Sequence, residues 1–257
     1  MGRTVICSIL MANGIQDEQI VQITINTEGP IRGIVAICSG KGEVRGYVGS
    51  PMLGNDLTLV EAVGRTGAVQ IVKNHPDWPR PYNGITSVRH GDIDRDVGIY
   101  LAESEQRSCA LAAVTSVVGI LCNAAGGYLV EQLPGTTEDE RRVVEENLAK
   151  LVALDGSDKL PTNLLLSGQT PLDIASIILD GLDMIPLQQI EPTLKCACTE
   201  DRLIRSLRLL PASDVEDILT KQERVEARCE FCGKVYRLEA HEVRDKLESP
   251  PDPTVSE

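Results

Sequence analysis

Six consecutive residues decide how the first half of the chain folds: Ile20-Val21-Gln22-Ile23-Thr24-Ile25. They are rich in β-branched side chains, which favours a strand, and the turn signal Gly29-Pro30 follows them. Three more strand-like runs come after that turn, at Ile31 to Cys38, Val44 to Val48 and Ala68 to Lys73. Parallel strands need crossover connections of roughly a dozen residues or more. Because the first three runs are joined by much shorter turns, the sequence predicts an α+β domain with a mixed or antiparallel sheet.

A long apolar stretch from Ser108 to Val130 carries no formal charge over 23 residues. It is long enough to cross a bilayer, but several polar residues interrupt it and Gly126-Gly127 breaks it. We therefore expect a buried strand, a glycine turn at 126–127 and a second strand, with no membrane span. Segment 77–84 contains two prolines and a glycine and predicts an irregular loop.

A helical pattern begins after Gly135. Apolar residues at 143, 144, 148, 151 and 152 share one face of a helix over 138–154. Thr170-Pro171 then predicts the N-cap and first residue of another helix that extends to Leu179. The predicted organisation is a sheet-based α+β core domain (1–137), a helical linker (138–195), a small cysteine-containing domain (196–240) and a disordered tail (241–257).

The charge balance argues against two classes of partner. Among 257 residues, 25 are Lys or Arg and 38 are Asp or Glu, which gives a net charge of −13. Duplex nucleic-acid binders depend on basic side chains to neutralise phosphates, and a membrane-surface role needs a cationic face. We therefore expect neither a nucleic-acid nor a membrane partner. The linker is the most acidic segment, with 5 basic and 11 acidic residues, a net charge of −6.

Four of the eight cysteines form two close pairs near the C-terminus, and the other four are isolated in apolar runs. The pairs are Cys196-Ala197-Cys198 and Cys229-Glu230-Phe231-Cys232. Two cysteine pairs from distant segments supply the four sulfurs of a tetrahedral Zn²⁺ site. Gly233 suits the tight turn after the second pair. The metal ligands predicted here, which would bind one zinc ion, are Cys196, Cys198, Cys229 and Cys232.

The residues around these cysteine pairs predict two helices and a hairpin. Thr199 can cap a helix that starts with Glu200, and Ser213 with Glu216 forms a capping box for a second short helix. Residues 225–238 predict a hairpin. With four protein ligands, the metal has no position for a substrate water, which disfavours hydrolysis.

Three functions are compatible with this cysteine pattern. The first is a redox switch. A disulfide within Cys196-Ala197-Cys198 closes a very small ring, and strained disulfides are the regulatory ones. Oxidation would then expel the zinc and unfold its domain. The alternatives are a redox-silent zinc-ribbon interaction module and a thiol oxidoreductase that uses the Cys-x-x-Cys pair.

With these residues considered, the chain resembles the heat shock protein 33 family of redox-regulated holdases. The spacing Cys196-x-Cys198…Cys229-x-x-Cys232 is that family's signature. Further matches lie in the sheet domain, and the resemblance extends from about Met1 to Leu238. They are Gly42-Glu43-Val44-Arg45-Gly46-Tyr47, Pro81-Tyr82-Asn83-Gly84-Ile85, Ser104-Glu105-Gln106, Ala125-Gly126-Gly127-Tyr128 and Gln132-Leu133-Pro134-Gly135.

The resemblance implies a non-enzymatic chaperone with no catalytic residue, inactive while reduced and zinc-bound. It implies that oxidation joins Cys196 to Cys198 and Cys229 to Cys232. Zinc release then unfolds the zinc domain and destabilises the linker. The protein forms a homodimer, holds unfolding client proteins and passes them to ATP-dependent foldases after reduction. The expected location is the cytoplasm, or an organelle in a eukaryotic source.

The resemblance also contains one departure. The family normally begins with an additional strand and helix, and Met1-Gly2-Arg3 corresponds to the inside of that helix. We therefore expect a fragment or a shortened gene.

Overall fold

The structure is a computed structural model that describes residues 1–54, 57–156 and 161–249. It divides into two compact units, Met1–Leu194 and Lys195–Glu257.

The first unit contains a six-stranded sheet, a separate β-hairpin and six helices among the described residues. Its strands are β1 (Ile20–Thr27), β2 (Gly33–Ser39), β3 (Glu43–Val48), β4 (Gly67–Asn74), β5 (Tyr82–Ser87), β6 (Cys109–Val118), β7 (Leu121–Glu131) and β8 (Thr193–Leu194). Its helices are α1 (Gly2–Ala12), α2 (Leu59–Val63), α3 (Ile93–Ser104), α4 (Glu138–Asp155), α5 (Thr162–Leu166) and α6 (Pro171–Ile178).

The sheet has the strand order β5-β4-β1-β2-β3-β8, and its pairs are antiparallel except for the short parallel pair β3–β8. This confirms the predicted α+β class with a mixed, mainly antiparallel sheet. The central strand β1 buries Val21, Ile23 and Ile25, since alternate residues of a strand point to the same face. These side chains join a large cluster of aliphatic residues that includes buried side chains of α1 and α3.

The hairpin β6–β7 differs from the expected arrangement. Its turn is Gly119-Ile120, because Val118 pairs with Leu121, and Gly126-Gly127 lies inside β7. A Cβ at Gly127 would collide with the Ala112 carbonyl of the neighbouring strand, so glycine is needed there for close packing rather than for a turn.

A second correction concerns β5, which begins at Tyr82 although the sequence predicts an irregular loop over 77–84. Pairing with β4 overrides the local proline and glycine signals.

The linker segment forms α4, α5 and α6. Thr137 and Thr170 both accept a hydrogen bond from the third helical residue, so the predicted Thr170 cap is confirmed. The small core of this segment has three buried residues, Leu151, Ile174 and Ile178. Val152, which the helical pattern assigns to the apolar face, is 49% exposed.

The second unit consists of α7 (Glu200–Leu207), α8 (Ala212–Lys221), β9 (Arg224–Arg228), β10 (Val235–Glu239) and α9 (Ala240–Glu248). Thr199 caps α7 as predicted, and β9 pairs with β10 as the predicted hairpin. The expected capping box at Ser213 is wrong: α8 begins after Pro211, and Ser213 lies inside its first turn.

The expected disordered tail is also wrong for residues 241–248, which belong to α9. Val243 is fully buried in the small core of this unit, which explains why so polar a segment becomes helical. Residues 250–257 lie outside the described residues.

No helix in the described part of the chain has both the length and the apolar content that a membrane crossing requires. The uncharged stretch 108–130 forms the hairpin β6–β7 instead.

Candidate metal centre

Two separate segments of the second unit bring its four cysteines together. Cys196 and Cys198 lie immediately before α7, whose N-cap is Thr199. Cys229 and Cys232 lie in the connection between β9 and β10, where Arg228 pairs with Val235 at the last rung of the hairpin. The helix start and the hairpin turn therefore present the two predicted pairs to each other.

The hairpin connection is a tight turn fixed by the backbone. The Gly233 N–H donates to the Cys229 carbonyl at 2.8 Å, and the Cys229 N–H donates to the Lys234 carbonyl at 2.9 Å. Gly233 has a φ of +73°, which residues with a Cβ adopt only at a cost. Glycine at this position therefore fits the turn that the sequence predicts after the second pair.

All four sulfur atoms lie within 4.8 Å of one another. The Sγ atoms of Cys196 and Cys229 are 3.6 Å apart, and those of Cys198 and Cys232 are 3.5 Å apart. A tetrahedral zinc with Zn–S bonds of about 2.3 Å places its sulfurs about 3.8 Å apart. The cluster therefore has the size and the donor set of a structural metal site.

One residue of this centre was missed by sequence reasoning. The Tyr236 hydroxyl donates to the Cys198 sulfur at 3.0 Å and lies 2.8 Å from the Cys198 carbonyl oxygen. Tyr236 lies on β10, and the Lys234 ammonium is 4.6 Å from the centre of its ring. Tyr236 is four residues beyond Cys232, and a tyrosine at this spacing is not part of a recognised metal-binding motif. Its contact with Cys198 is therefore apparent only in the folded hairpin.

The pKa values of two thiols in this centre are shifted in opposite directions. The hydrogen bond from Tyr236 lowers the pKa of Cys198 to about 7, because it stabilises the thiolate. Desolvation raises the pKa of Cys196 to about 12. Four thiolates in one cluster repel each other, and a bound divalent cation compensates their charge. The residues present therefore fit Zn²⁺, which thiolate ligands and tetrahedral S₄ geometry favour.

Such a metal would have four protein ligands and no position left for a reacting water. Its chemistry would be structural. Among the described residues, this cluster is the one group of three or more Cys, His, Asp or Glu side chains placed to hold a metal ion.

The other four cysteines lie elsewhere, in the first unit. Cys7 and Cys38 are buried, and desolvation raises the pKa of both thiols, that of Cys38 to about 11. The pKa of Cys109 is also raised by desolvation, and Cys122 is exposed near the turn of the β6–β7 hairpin. The isolated cysteines of apolar runs are expected to be small buried apolar side chains. Cys7 and Cys38 confirm this expectation, Cys109 is only half-buried, and the expectation is wrong for the exposed Cys122.

Around the cluster, the second unit has a small apolar core. Six buried residues form it: Ile204, Leu207, Leu219, Val225, Leu238 and Val243. They come from α7, α8, α9 and both strands of the hairpin. A core this small contributes little stability by itself, so a metal held by the neighbouring sulfurs would contribute a large share.

Known proteins match this chain over nearly its whole length. The family model described as Hsp33 protein matches residues 1–239. The 33 kDa chaperonin of Clostridioides difficile is 31% identical, with 96% of this chain and 84% of that protein covered. The 33 kDa chaperonin of Nostoc sp. is 34% identical, with 92% of this chain and 79% of that protein covered.

The crystal structure of the 33 kDa chaperonin of Thermotoga maritima shares the fold. It superposes with a TM-score of 0.80 at 23% identity, with 96% of this chain and 83% of that chain covered. The chain therefore belongs to the Hsp33 family, whose members are chaperones and whose general property is redox regulation.

Proposed function

We propose that this protein is a holdase chaperone that oxidation switches on through its four-cysteine centre. The observation that carries the proposal is the cluster of four sulfurs within 4.8 Å of one another beside a core of six buried residues. The state of the sulfurs would decide whether this unit is folded.

In the reduced protein, Cys196, Cys198, Cys229 and Cys232 hold one Zn²⁺ as thiolates. Structural zinc contributes an apparent free energy on the order of 10–16 kcal/mol to a small domain at neutral pH. Loss of the metal would therefore unfold the second unit, since a core of six buried residues with a few partly buried neighbours contributes little stability by itself.

Activation removes four electrons and forms two disulfides, Cys196–Cys198 and Cys229–Cys232. Each disulfide requires a two-electron oxidant such as peroxide or hypochlorite, which is reduced to water or chloride and water. A sulfur that forms a disulfide is a poor zinc ligand because the thiolate is the ligating form. Cysteines joined in disulfides would no longer hold the metal, and the stability that the metal would contribute to folding would be lost. The short ring that Cys196–Cys198 closes makes that disulfide easy to reduce again.

The linker is the second element of this mechanism. Its core has three fully buried residues, and several of its large apolar side chains are already exposed, among them Leu154, Leu172 and Leu187. Few buried contacts are the property of segments that open at low free-energy cost. Once the second unit unfolds, the linker would open too and expose apolar surface that binds unfolding client proteins.

The active form would be a homodimer that passes its clients to ATP-dependent foldases after reduction. We place the protein in the cytoplasm, where thiol-reducing systems keep cysteines reduced between episodes of stress.

A thiol oxidoreductase is the less favoured function. Reactive Cys-x-x-Cys thiols commonly lie at a helix N-terminus, which lowers the pKa of the thiol. Here Cys229 and Cys232 lie in a hairpin turn, and both are within 4.8 Å of the other two sulfurs. A non-enzymatic role fits this arrangement better. A redox-silent zinc ribbon shares the geometry and differs only in its response to oxidant.

One experiment separates the three functions. The purified, zinc-loaded protein is treated with hypochlorite, and zinc release, helix content and suppression of aggregation of heat-unfolded citrate synthase are followed together. The holdase releases zinc, loses helix and gains suppression. The zinc ribbon keeps its activity unchanged, and the oxidoreductase shows turnover of a disulfide substrate. Retained zinc with no gain in suppression would overturn the proposal.

A further inference from the structure

The buried face of α4 is more polar than a packing face needs to be. Of its 18 residues (138–155), three are buried: Asn147, Leu151 and Asp155. They lie four residues apart, so they form one stripe along the helix, with a leucine between two polar residues. A buried polar side chain destabilises a fold unless it is hydrogen-bonded. The partners of Asn147 and Asp155 therefore show what this stripe does.

Asn147 binds the C-terminal end of α6. Its side-chain amide donates to the carbonyl of Ile178, the last residue of α6, at 3.2 Å and to the carbonyl of Asp180 at 2.7 Å. The last carbonyls of a helix have no partner within that helix, so Asn147 supplies one from α4. The Lys150 ammonium donates to Asn147 Oδ1 at 2.9 Å, which orients the amide with its N–H groups toward the carbonyls. We name these contacts the Asn147 clasp.

Asp155 makes the corresponding contact at the start of α5. Its carboxylate accepts a hydrogen bond from the Leu164 N–H at 2.8 Å, and its backbone carbonyl accepts one from the Asn163 side chain at 2.7 Å. The N-cap of α5 is Pro161, whose side chain offers no acceptor. Asp155 therefore satisfies an N–H of the first turn that the cap residue leaves open. We name these contacts the Asp155 clasp.

The two clasps join helices that differ in length and in local support. α4 has 18 residues, a capping box at Thr137 and exposed ion pairs at helical spacing, such as Arg141 with Glu145. α5 has five residues and α6 has eight. Isolated helices shorter than about 12 residues are marginal in water. We therefore expect α4 to persist as a helix by itself, whereas α5 and α6 depend on their contacts with it.

We propose that the two clasps hold the linker closed in the reduced protein, and that loss of the Asn147 clasp is enough to release α6 from α4 while zinc is still bound. The inference rests on the proposed function and deepens it, because it names the side chains that decide whether the linker is open.

Hydrogen-bonded closure suits a segment that has to open and close again. On opening, water replaces the partners of the amide, the carboxylate and the carbonyls, so the net free energy of opening is small. In the closed state each clasp specifies one arrangement, because a displaced amide or carboxylate would be buried without a partner. A stripe of three leucines would bind α5 and α6 more tightly and would accept several packing arrangements.

Asn147→Asp tests the first clasp with almost no change in shape. An ionised aspartate has no N–H to donate, and it turns a second oxygen toward the carbonyls of Ile178 and Asp180. In the reduced, zinc-loaded full chain, we expect amide hydrogen exchange in residues 171–182 to become about 10–100-fold faster than in wild type. One zinc per chain and the protection of α4 should be retained. Suppression of citrate synthase aggregation should appear without oxidant.

Three further variants support this comparison. Ala149→Asp adds the same charge at an exposed position of α4 and should behave as wild type. Asn147→Ser also removes the amide and adds no charge, so it replaces Asn147→Asp if that variant does not fold. Asp155→Ala should accelerate exchange in residues 162–166, which shows whether each clasp acts on its own helix.

Three results would overturn the inference. The first is exchange in residues 171–182 of Asn147→Asp at the wild-type rate. The second is faster exchange with no gain in suppression, because the clasp would then be a helix cap without a part in regulation. The third is a gain in suppression that appears only in protein that has lost its zinc, because the variant would then act through the second unit.

The oxidised wild type, measured in the same assay, separates this inference from the proposed function. If the oxidised wild type suppresses aggregation and reduced Asn147→Asp does not, only the role of the clasp is wrong. If the oxidised wild type gives no suppression, the proposed function is wrong, whatever the exchange data show.

Discussion

The two units reach a folded state by different means. The sheet unit buries a continuous cluster of about twenty apolar residues, most of them from β1, β2, β4, α1 and α3, whereas the second unit has a cluster of six buried residues and four clustered sulfurs. Apolar burial does not respond to oxidants, but thiolate ligation does. In the proposed mechanism, redox sensitivity would be confined to the second unit, because among the described residues it alone contains a cysteine cluster that could hold a metal.

The largest effect expected is on the second unit when one sulfur is removed. Cys232→Ser should abolish tight zinc binding and unfold α7, α8 and α9, because structural zinc contributes on the order of 10–16 kcal/mol. The strands β1, β2 and β4 should stay folded. Amide hydrogen exchange across both units, with Cys122→Ser as the matched control, checks this. Full protection of α9 in Cys232→Ser would contradict it.

The difference between the two units can be predicted from the sequence, because the spacing of the cysteines and the runs of β-branched residues indicate it. Close cysteine pairs predict a metal site whatever the surrounding fold, and β-branched runs such as 20–25 predict strands. Three features were not accessible. The need for glycine at position 127 depends on the neighbouring Ala112 carbonyl. The contact of Tyr236 with the centre depends on the register of the β9–β10 hairpin. The helix Ala240–Glu248 depends on the burial of Val243. Each depends on a contact between residues, which no local pattern contains.

The next effect concerns the linker, whose core of three buried residues is smaller than the six-residue core of the second unit. Leu151→Ala should destabilise α4 and α6 by about 2–5 kcal/mol. Because three buried residues hold this segment, that loss should open it locally. We expect aggregation suppression by the reduced variant, without oxidant.

The control for this variant is Leu154→Ala, on the same helix and 62% exposed, which should behave as wild type. Hydrogen exchange of residues 138–178 measures the opening. If Leu151→Ala leaves exchange and activity of the reduced protein unchanged, the linker is not marginally stable.

A smaller effect is expected at Tyr236, which donates to Cys198 at 3.0 Å. Tyr236→Phe removes this hydrogen bond and keeps the ring. Loss of a hydrogen bond to a metal ligand lowers metal affinity about 10–100-fold. Competition with a chromogenic chelator measures the affinity, with Tyr82→Phe in the sheet unit as the control. Equal affinities for wild type and Tyr236→Phe would remove Tyr236 from the centre.

The smallest effect concerns pH and the sheet unit. Arg107 forms an ion pair with Glu131 that links the open ends of β6 and β7, and this lowers the pKa of Glu131 below its ordinary 4.5. A carboxylate with a lowered pKa in the folded state stabilises the fold above the unfolded pKa, and this stability is lost as pH falls below it.

We therefore expect the stability difference between wild type and Glu131→Gln to be present at neutral pH and to disappear as pH falls below 4.5. The pair is partly exposed, so the difference should be small and reduced by salt. Urea unfolding of both proteins across this pH range measures it. A difference that grows as pH falls would contradict this assignment.

Zinc content and hydrogen exchange, measured on the same sample during oxidation by hypochlorite, show whether the second unit depends on its metal. We expect one zinc per chain at the start. As zinc is released, protection of α7, α8 and α9 should disappear in step with it while β1 and β4 stay protected. Zinc release with α7–α9 still protected, or reduced protein without zinc and with these helices intact, would contradict the claim.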